Sequence, residues 1–109
     1  MVGRDVLEIL RRIRGKLEGG EFRITQHAQQ EMVEEGITLG DVIEAISNGT
    51  VLEDYPQHRR GPCCLIVGET ADRRPLHVVC TTDLPVVIVI TTYEPRPPKW
   101  VTPSRRRQT

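Results

Sequence analysis

Apolar side chains follow a helical period in the first half of the chain and a strand period in the second, and the change falls at Gly49. The first predicted helix has an apolar face whose members lie at i, i+4, i+7 and i+11: Val6, Leu10, Ile13 and Leu17. Arginine and glutamate fill the opposite face, and the pair Gly19-Gly20 ends the helix. The pattern therefore predicts one amphipathic helix at the start of the chain.

Two shorter helices are predicted after a link at residues 22–24. Thr25 is a suitable N-cap for the second helix, and Gly36 is a suitable residue just beyond its end. Thr38 and Asp41 form a capping-box pattern at the start of the third helix, with Asp in place of the more common Glu. Because the connection between these helices is so short, the sequence predicts a tight αα-corner.

Beyond Gly49, alternation with a period of two predicts four strands: 51–55, 63–69, 75–81 and 86–93. The connections between consecutive strands are short, which favours antiparallel pairing. Helices followed by such a meander predict an α+β fold. In this fold, two to three N-terminal helices pack on one face of a four-stranded antiparallel meander sheet.

The length of 109 residues predicts a single domain, which we place at residues 1–100. Four prolines interrupt the last part of the chain: Pro95, Pro97, Pro98 and Pro103. Proline lacks a backbone N–H and disfavours regular structure, and three consecutive arginines follow it here. We therefore expect residues 101–109 to form a basic disordered tail.

The formal net charge is zero, but the charges are divided between the two halves of the chain. Residues 1–54 hold 6 basic and 11 acidic side chains, whereas residues 55–109 hold 9 basic and 4 acidic ones. A surface that binds anions is therefore expected in the second half, among its loops and its basic end.

Composition also excludes several classes of protein. No stretch reaches the roughly 18–20 apolar residues of a membrane span, and the first ten residues lack the apolar core of a secretory signal. Three cysteines form no disulfide framework and suit a reducing compartment. We therefore expect a cytoplasmic protein that makes no membrane contact and needs no cofactor.

The cysteines and the first histidine are weak candidates for chemistry. Cys63 and Cys64 are neighbours on a predicted strand, so their side chains point to opposite faces and cannot share a tetrahedral metal site. His27 lies in the first turn of the second predicted helix, one turn before Glu31, which could orient it. The alternative for His27 is an ordinary surface histidine.

His77 is a stronger candidate because it interrupts an apolar run in a strand that should be central. A three-residue loop at 83–85 would place His77 opposite Thr91, with Tyr93 nearby on the same face. A four-residue loop would place His77 opposite Ile90, with Thr92 close by. In either register a hydroxyl group from the last strand lies near the imidazole.

Loop arginines flank this cluster of histidine and hydroxyl groups: Arg59, Arg60, Arg73 and Arg74. Imidazole, phenol and guanidinium groups together can perform acid–base chemistry on a phosphodiester and stabilise its anionic transition state without a metal. The alternative is a half-buried, hydrogen-bonded histidine beside solvated arginines.

A series of short motifs resembles the family of bacterial domains of unknown function numbered 4258. The matching pieces, in order, are His27-Ala28, Met32, Gly36-Ile37, Asp41-Val42, Asn48-Gly49, Asp54-Tyr55-Pro56, Pro75 to Val79, Ile90-Thr91, Tyr93 and Trp100. They cover roughly residues 21–100. One departure concerns Glu31 and Glu35, near which the family commonly has arginines.

The resemblance implies a fold of the barnase–EndoU–colicin–RelE type, which many metal-independent ribonucleases and toxins share. It implies a ribonuclease-like toxin whose partners are RNA and an antitoxin protein. Four matching or nearby residues are the catalytic candidates: His77, His27, Tyr93 and Thr91. Arg59, Arg60, Arg74 and Tyr55 are the candidates for substrate binding. The alternative is a non-catalytic domain of the same fold that binds a protein or forms a homodimer.

Overall fold

The computed structural model describes residues 5–107, which form three helices and seven strands. In chain order they are α1 (Val6–Glu18), β1 (Phe22–Ile24), α2 (Gln26–Glu35), α3 (Leu39–Asn48), β2 (Thr50–Tyr55), β3 (Cys63–Glu69), β4 (Pro75–Thr81), β5 (Val87–Tyr93), β6 (Trp100–Thr102) and β7 (Arg105–Arg106). The predicted α+β class is confirmed.

The ends of α2 and α3 lie where the capping residues predict them. The Thr25 hydroxyl accepts a hydrogen bond from the Ala28 N–H, and Gly36 adopts the left-handed conformation at the end of α2. At the start of α3 the capping box is complete, because Thr38 and Asp41 each accept the other's backbone N–H. Local hydrogen bonding therefore fixes the tight connection between the two helices.

The main sheet has five strands in the order β1-β5-β4-β3-β2, and only the pairing of β1 with β5 is parallel. The antiparallel meander from β2 to β5 follows the prediction. The strand count was wrong, since the link at 22–24 forms an edge strand beside Val87–Val89. Three residues are too few to show a strand period in the sequence. Only the pairing with β5 makes this segment a strand.

The register of β4 and β5 differs from both predicted alternatives. His77 lies opposite Tyr93, and Val79 lies opposite Thr91. The loop at 82–86 is longer than either prediction, and a β-bulge interrupts the pairing between Val79 and Cys80. These two features shift β5 so that Tyr93, rather than Thr91 or Ile90, is the direct partner of His77.

The two faces of the sheet are covered by different parts of the chain. The three helices pack on one face and form the larger core with β3, β4 and β5. We call the opposite side the outer face. It carries a smaller apolar cluster that includes Cys63, Leu65, Val79 and Trp100. Sheet alternation explains the division, since Cys63 and Cys64 lie on opposite faces as predicted.

Residues 100–107 cover the outer face, so the predicted disordered tail is not found there, and its last two residues, 108–109, lie outside the described residues. Strands β6 and β7 pair as an antiparallel hairpin within the described residues, and we call residues 100–106 the C-terminal hairpin. Trp100 at its start is only 2% exposed. The prolines at 97, 98 and 103 lie before the hairpin and in its turn, where no ladder hydrogen bond is required of them.

Candidate functional site

His77 lies on the outer face, fully buried, with both ring nitrogens bonded to protein atoms. Nε2–H donates to the Pro103 carbonyl over 2.6 Å, and the Tyr93 hydroxyl donates to Nδ1 over 3.2 Å. A carbonyl can only accept, so Nε2 carries a proton, and in the neutral ring Nδ1 is then the acceptor of the Tyr93 hydroxyl. Burial lowers the pKa of His77, which favours the same neutral form.

Trp100 closes the site over His77. The two rings meet edge to face with centroids 4.3 Å apart. The Arg106 guanidinium lies 4.5 Å from the centroid of the indole ring. Burial raises the pKa of Tyr93, and the nearby Trp100 N–H, which makes no hydrogen bond of normal geometry within the described residues, opposes that rise.

Arg106 joins the C-terminal hairpin to β2 through Glu53. Its Nε and Nη2 atoms each lie 2.7 Å from a Glu53 carboxylate oxygen, which is bidentate geometry. This hydrogen bond holds the pKa of Glu53 down, at about 2, and raises the pKa of Arg106. Tyr55 donates to Glu53, and burial raises the pKa of Tyr55 to about 12. The hairpin is thereby held to the sheet at its basic end.

The Glu53 carboxylate should make stability depend on acid pH. Its folded pKa of about 2 is below the ordinary 4.5, so the stabilisation is complete above pH 4.5 and is lost as the pH falls towards 2. We expect Glu53→Gln to cost about 1 kcal/mol of unfolding free energy at pH 7 and much less near pH 2. Urea denaturation of both proteins across this range measures the difference.

The control for this experiment is Glu34→Gln, an exposed carboxylate on α2. Its unfolding free energy should follow that of the wild type at every pH. Parallel pH curves for the wild type and Glu53→Gln would contradict the assigned role of the Arg106–Glu53 pair.

A groove of about 500 Å³ lies beside the buried imidazole. Its lining comes from the ends of β3 and β4 and from the turn of the hairpin: Asn48, Val67, Gly68, Glu69, Pro75, Thr102, Pro103 and Ser104. Val67 is the cross-strand neighbour of His77, and Pro103 is the residue whose carbonyl covers Nε2. The turn of the hairpin therefore contributes both a wall of this groove and the hydrogen-bond partner of Nε2.

His27 and Thr91 belong to a second group of residues, which centres on Glu31. The Thr91 hydroxyl and the Thr92 N–H donate to the Glu31 carboxylate, and His27 Nε2 lies 3.4 Å from it. Thr91 and Tyr93 both lie on β5, so this strand contributes one residue to the Glu31 group and one to the His77 site. His27 is largely exposed, and none of its hydrogen bonds or ion pairs reaches His77.

Glu31 and Glu35, where the family commonly has arginines, have a structural role here. β1 pairs with β5 only at Val87–Val89, so the rest of that edge of β5 needs other acceptors. Glu31 accepts from the Thr92 N–H over 3.1 Å, and Glu35 accepts from the Glu94 N–H over 2.9 Å. The acidic face of α2 therefore completes the sheet edge.

The predicted arginine clamps lie away from His77. Arg74 is bound to the Glu94 carboxylate and to the carbonyls of Glu35 and Gly36. Arg59 and Arg60 are exposed in the loop before Cys63, at the end of β3 remote from the His77 partner Val67. His77 and Tyr93 are in direct contact, and Tyr55 is linked to the same face through Glu53 and Arg106.

Sequence reasoning missed Glu53, Pro103 and Arg106, which complete the outer face. The charges of Glu53 and Arg106 were visible in the sequence, but only the hairpin brings Arg106 to β2. Trp100, the single tryptophan, belongs to the family resemblance, but the sequence did not indicate that it forms part of a site.

The described residues contain no group of three or more metal-ligating side chains. All three cysteines are buried, and a hydrogen bond with Cys64 raises the pKa of Cys80.

Comparison with known proteins adds one finding to this geometry. The model of the family described as Domain of unknown function (DUF4258) matches residues 24–94. The chain belongs to this family. No curated protein and no solved structure matches it.

The DUF4258 match contains only part of the site. His77, Tyr93 and Tyr55 lie within residues 24–94, as do His27 and Thr91. The C-terminal hairpin lies beyond the match, so the cover over His77 comes from outside the family model. Among the described residues, no helix has the length and apolar character needed to cross a membrane.

Proposed function

We propose that this DUF4258 protein is a metal-independent endoribonuclease of the barnase–EndoU–colicin–RelE type and the toxin of a toxin–antitoxin pair. The observation that carries the proposal is the buried His77–Tyr93 hydrogen bond on the outer face, beside a groove and a basic hairpin. An imidazole oriented by a phenol is a suitable acid–base group for phosphodiester cleavage.

In the proposed reaction, His77 acts through Nε2 once the hairpin turn moves. In the tautomer with the proton on Nδ1, that N–H donates to the Tyr93 oxygen and Nε2 accepts the proton of a ribose 2′-hydroxyl. The 2′-oxygen attacks phosphorus, the bond to the 5′-oxygen breaks, and the proton passes from Nε2 to that leaving oxygen. The products are a 2′,3′-cyclic phosphate and a 5′-hydroxyl end. Tyr93 is a positioning residue.

The turn at Pro103 must open for this reaction, because its carbonyl occupies Nε2. The turn has few anchors of its own. Exposed Ser104 donates its N–H to Thr102 Oγ1 over 3.3 Å, and residues 101–107 are all exposed. Local opening of such segments costs far less than global unfolding. The proposal therefore needs only a local change.

The variant His77→Gln tests the proposal with little change in hydrogen bonding. Its amide can donate to the Pro103 carbonyl and accept from Tyr93, but it cannot exchange a proton at neutral pH. We expect RNA cleavage by purified protein to fall by a factor of roughly 10² to 10⁴, the usual contribution of a general acid–base group. The melting temperature should change little.

The matched control is His58→Gln, a loop histidine whose Nδ1 accepts the Arg60 N–H. It should cleave RNA at the wild-type rate. Unchanged cleavage by His77→Gln, or an equal loss in both variants, would overturn the role of His77.

The complete burial of His77 favours a second candidate function, a non-catalytic domain that binds an antitoxin or a second copy of itself. Both ring nitrogens are satisfied by protein atoms, as in a structural core histidine. If this second function is correct, neither the wild-type protein nor any variant cleaves RNA. Co-expression with the protein encoded by the neighbouring gene should then yield a stable complex. Induction in cells, with and without that neighbour, separates the two functions by growth and RNA integrity.

A further inference from the structure

The C-terminal hairpin and the two residues that flank it carry three cations that have no acidic partner among residues 5–107: Lys99, Arg105 and Arg107. All three are exposed. We call this set the cationic strip. Arg106 and Arg96 differ from it, because Arg106 is bound to Glu53 and Arg96 is bound to Glu35 and Glu94. The strip therefore holds positive charge that the fold does not use.

Pairing within the hairpin places these charges together. Arg106 packs on Trp100, and Arg105 lies opposite Thr102 in the hairpin. The Arg107 N–H donates to the Lys99 carbonyl over 2.7 Å, which brings Lys99 beside Arg107. Lys99, Arg107, Pro98 and Arg106 line a shallow cavity of about 250 Å³.

We propose that the cationic strip binds the sugar–phosphate backbone of single-stranded RNA. This inference rests on the proposed function, for which it names the substrate-binding surface. Spaced guanidinium and ammonium groups without carboxylate partners fit consecutive phosphates. Trp100 beneath them is buried and offers no face for base stacking. Recognition by the strip is therefore independent of base sequence.

The strip is also close to the proposed reacting group. Lys99 directly precedes Trp100, whose ring packs on His77. Burial lowers the pKa of His77, and the charge of Lys99 acts in the same direction. Arg105 pairs with Thr102, which lines the groove beside the imidazole. An RNA strand held on the strip would place a phosphodiester next to the turn that covers His77. Arg59 and Arg60, at the other end of β3, are not needed for this contact.

The test compares two variants that lose the same charge. Arg105→Gln/Arg107→Gln removes two cations of the strip, and Arg11→Gln/Arg23→Gln removes two exposed arginines elsewhere. Both are made in the His77→Gln background so that the RNA stays intact. Fluorescence anisotropy with a labelled oligouridylate of about 12 nucleotides measures the affinity of each protein for RNA. The salt concentration is varied from about 20 to about 200 mM, because phosphate contacts weaken as salt rises.

We expect the strip variant to bind RNA at least about tenfold more weakly at low salt. The slope of log K against log salt concentration should be smaller in magnitude by about 1.4, the value expected for the loss of two phosphate contacts. The control should keep the parent slope. Equal losses in both variants, or no binding by the parent, would overturn the strip. Equal binding of oligouridylate and polyglutamate by the parent would instead assign the strip to an acidic protein.

Failure of the strip and failure of the proposed function have different signatures. If RNA binds through the strip but wild-type protein leaves it uncut, the strip stands and the ribonuclease proposal fails. If wild-type protein cuts RNA and the strip variant keeps the parent salt slope, the ribonuclease proposal stands and the strip is wrong.

Discussion

Replacing Gly68 with alanine is expected to destabilise the fold by at least about 3 kcal/mol, the upper part of the range for overpacking in a core. A β-carbon at this position would lie 1.9 Å from the carbonyl oxygen of Ala45 and 2.6 Å from the carbonyl carbon of the same residue. Both are backbone atoms of α3, so no side chain can turn aside. The helix would have to move away from β3, taking Val42 and Ile46 out of the core.

Gly40→Ala is the control, because Gly40 lies in the first turn of the same helix and a β-carbon there would meet only the Thr38 Oγ1 atom, at a van der Waals distance of 3.6 Å. Alanine is the better helix former there, and we expect a gain of up to about 1 kcal/mol. Urea denaturation measures both variants. A Gly68→Ala protein that unfolds at the wild-type urea concentration would contradict the close packing of α3 on β3.

Replacing Trp100 with alanine is expected to cost about 3 to 5 kcal/mol, as for other buried tryptophans. Trp100 is 2% exposed, packs on His77 and supports the Arg106 guanidinium. Its removal also admits water to the imidazole. We therefore expect the pKa of His77 to rise from its lowered value towards the ordinary 6.5. Denaturation gives the first effect, and an NMR titration of the His77 ring protons gives the second.

The neighbour Val101 supplies the control, because it is 55% exposed. Val101→Ala should stay within about 0.5 kcal/mol of wild type and leave the His77 titration unchanged. A Trp100→Ala protein with wild-type stability and an unchanged His77 pKa would mean that the hairpin does not cover the outer face in solution.

The sequence predicted those parts of the fold that local chemistry controls. Thr25, Gly36 and Thr38 fix helix ends through hydrogen bonds to residues a few positions away. The three long meander strands needed only alternation and short turns. The ends of α2, α3, β3 and β4 could therefore be predicted closely.

Long-range pairing determined what the sequence did not reveal. Strand β1 has three residues and depends on β5 for its hydrogen bonds. The bulge beside Val79 left no pattern that would set the register of His77. The hairpin was predicted as a tail because its prolines were read without its anchors, Trp100 and the Arg106–Glu53 pair, which act across 53 positions of sequence.

The divided charge of the chain has a partial explanation in these contacts. Several acidic groups of the first half serve the fold, since Glu31 and Glu35 complete the edge of β5 and Glu53 holds Arg106. Arg74 in the second half is likewise used internally. The cations of the strip, which have no acidic partner within residues 5–107, are therefore a better guide to an anionic partner than the net charge of zero.

We proposed that His77 catalyses metal-independent cleavage of RNA, and the chemistry of the product ends tests this most directly. Wild-type protein is incubated with a labelled oligonucleotide RNA in excess EDTA, and the fragments are analysed by mass spectrometry. The account predicts fragments with 2′,3′-cyclic phosphate and 5′-hydroxyl ends, which His77→Gln does not produce. Intact RNA, or fragments with 3′-hydroxyl and 5′-phosphate ends, would contradict it.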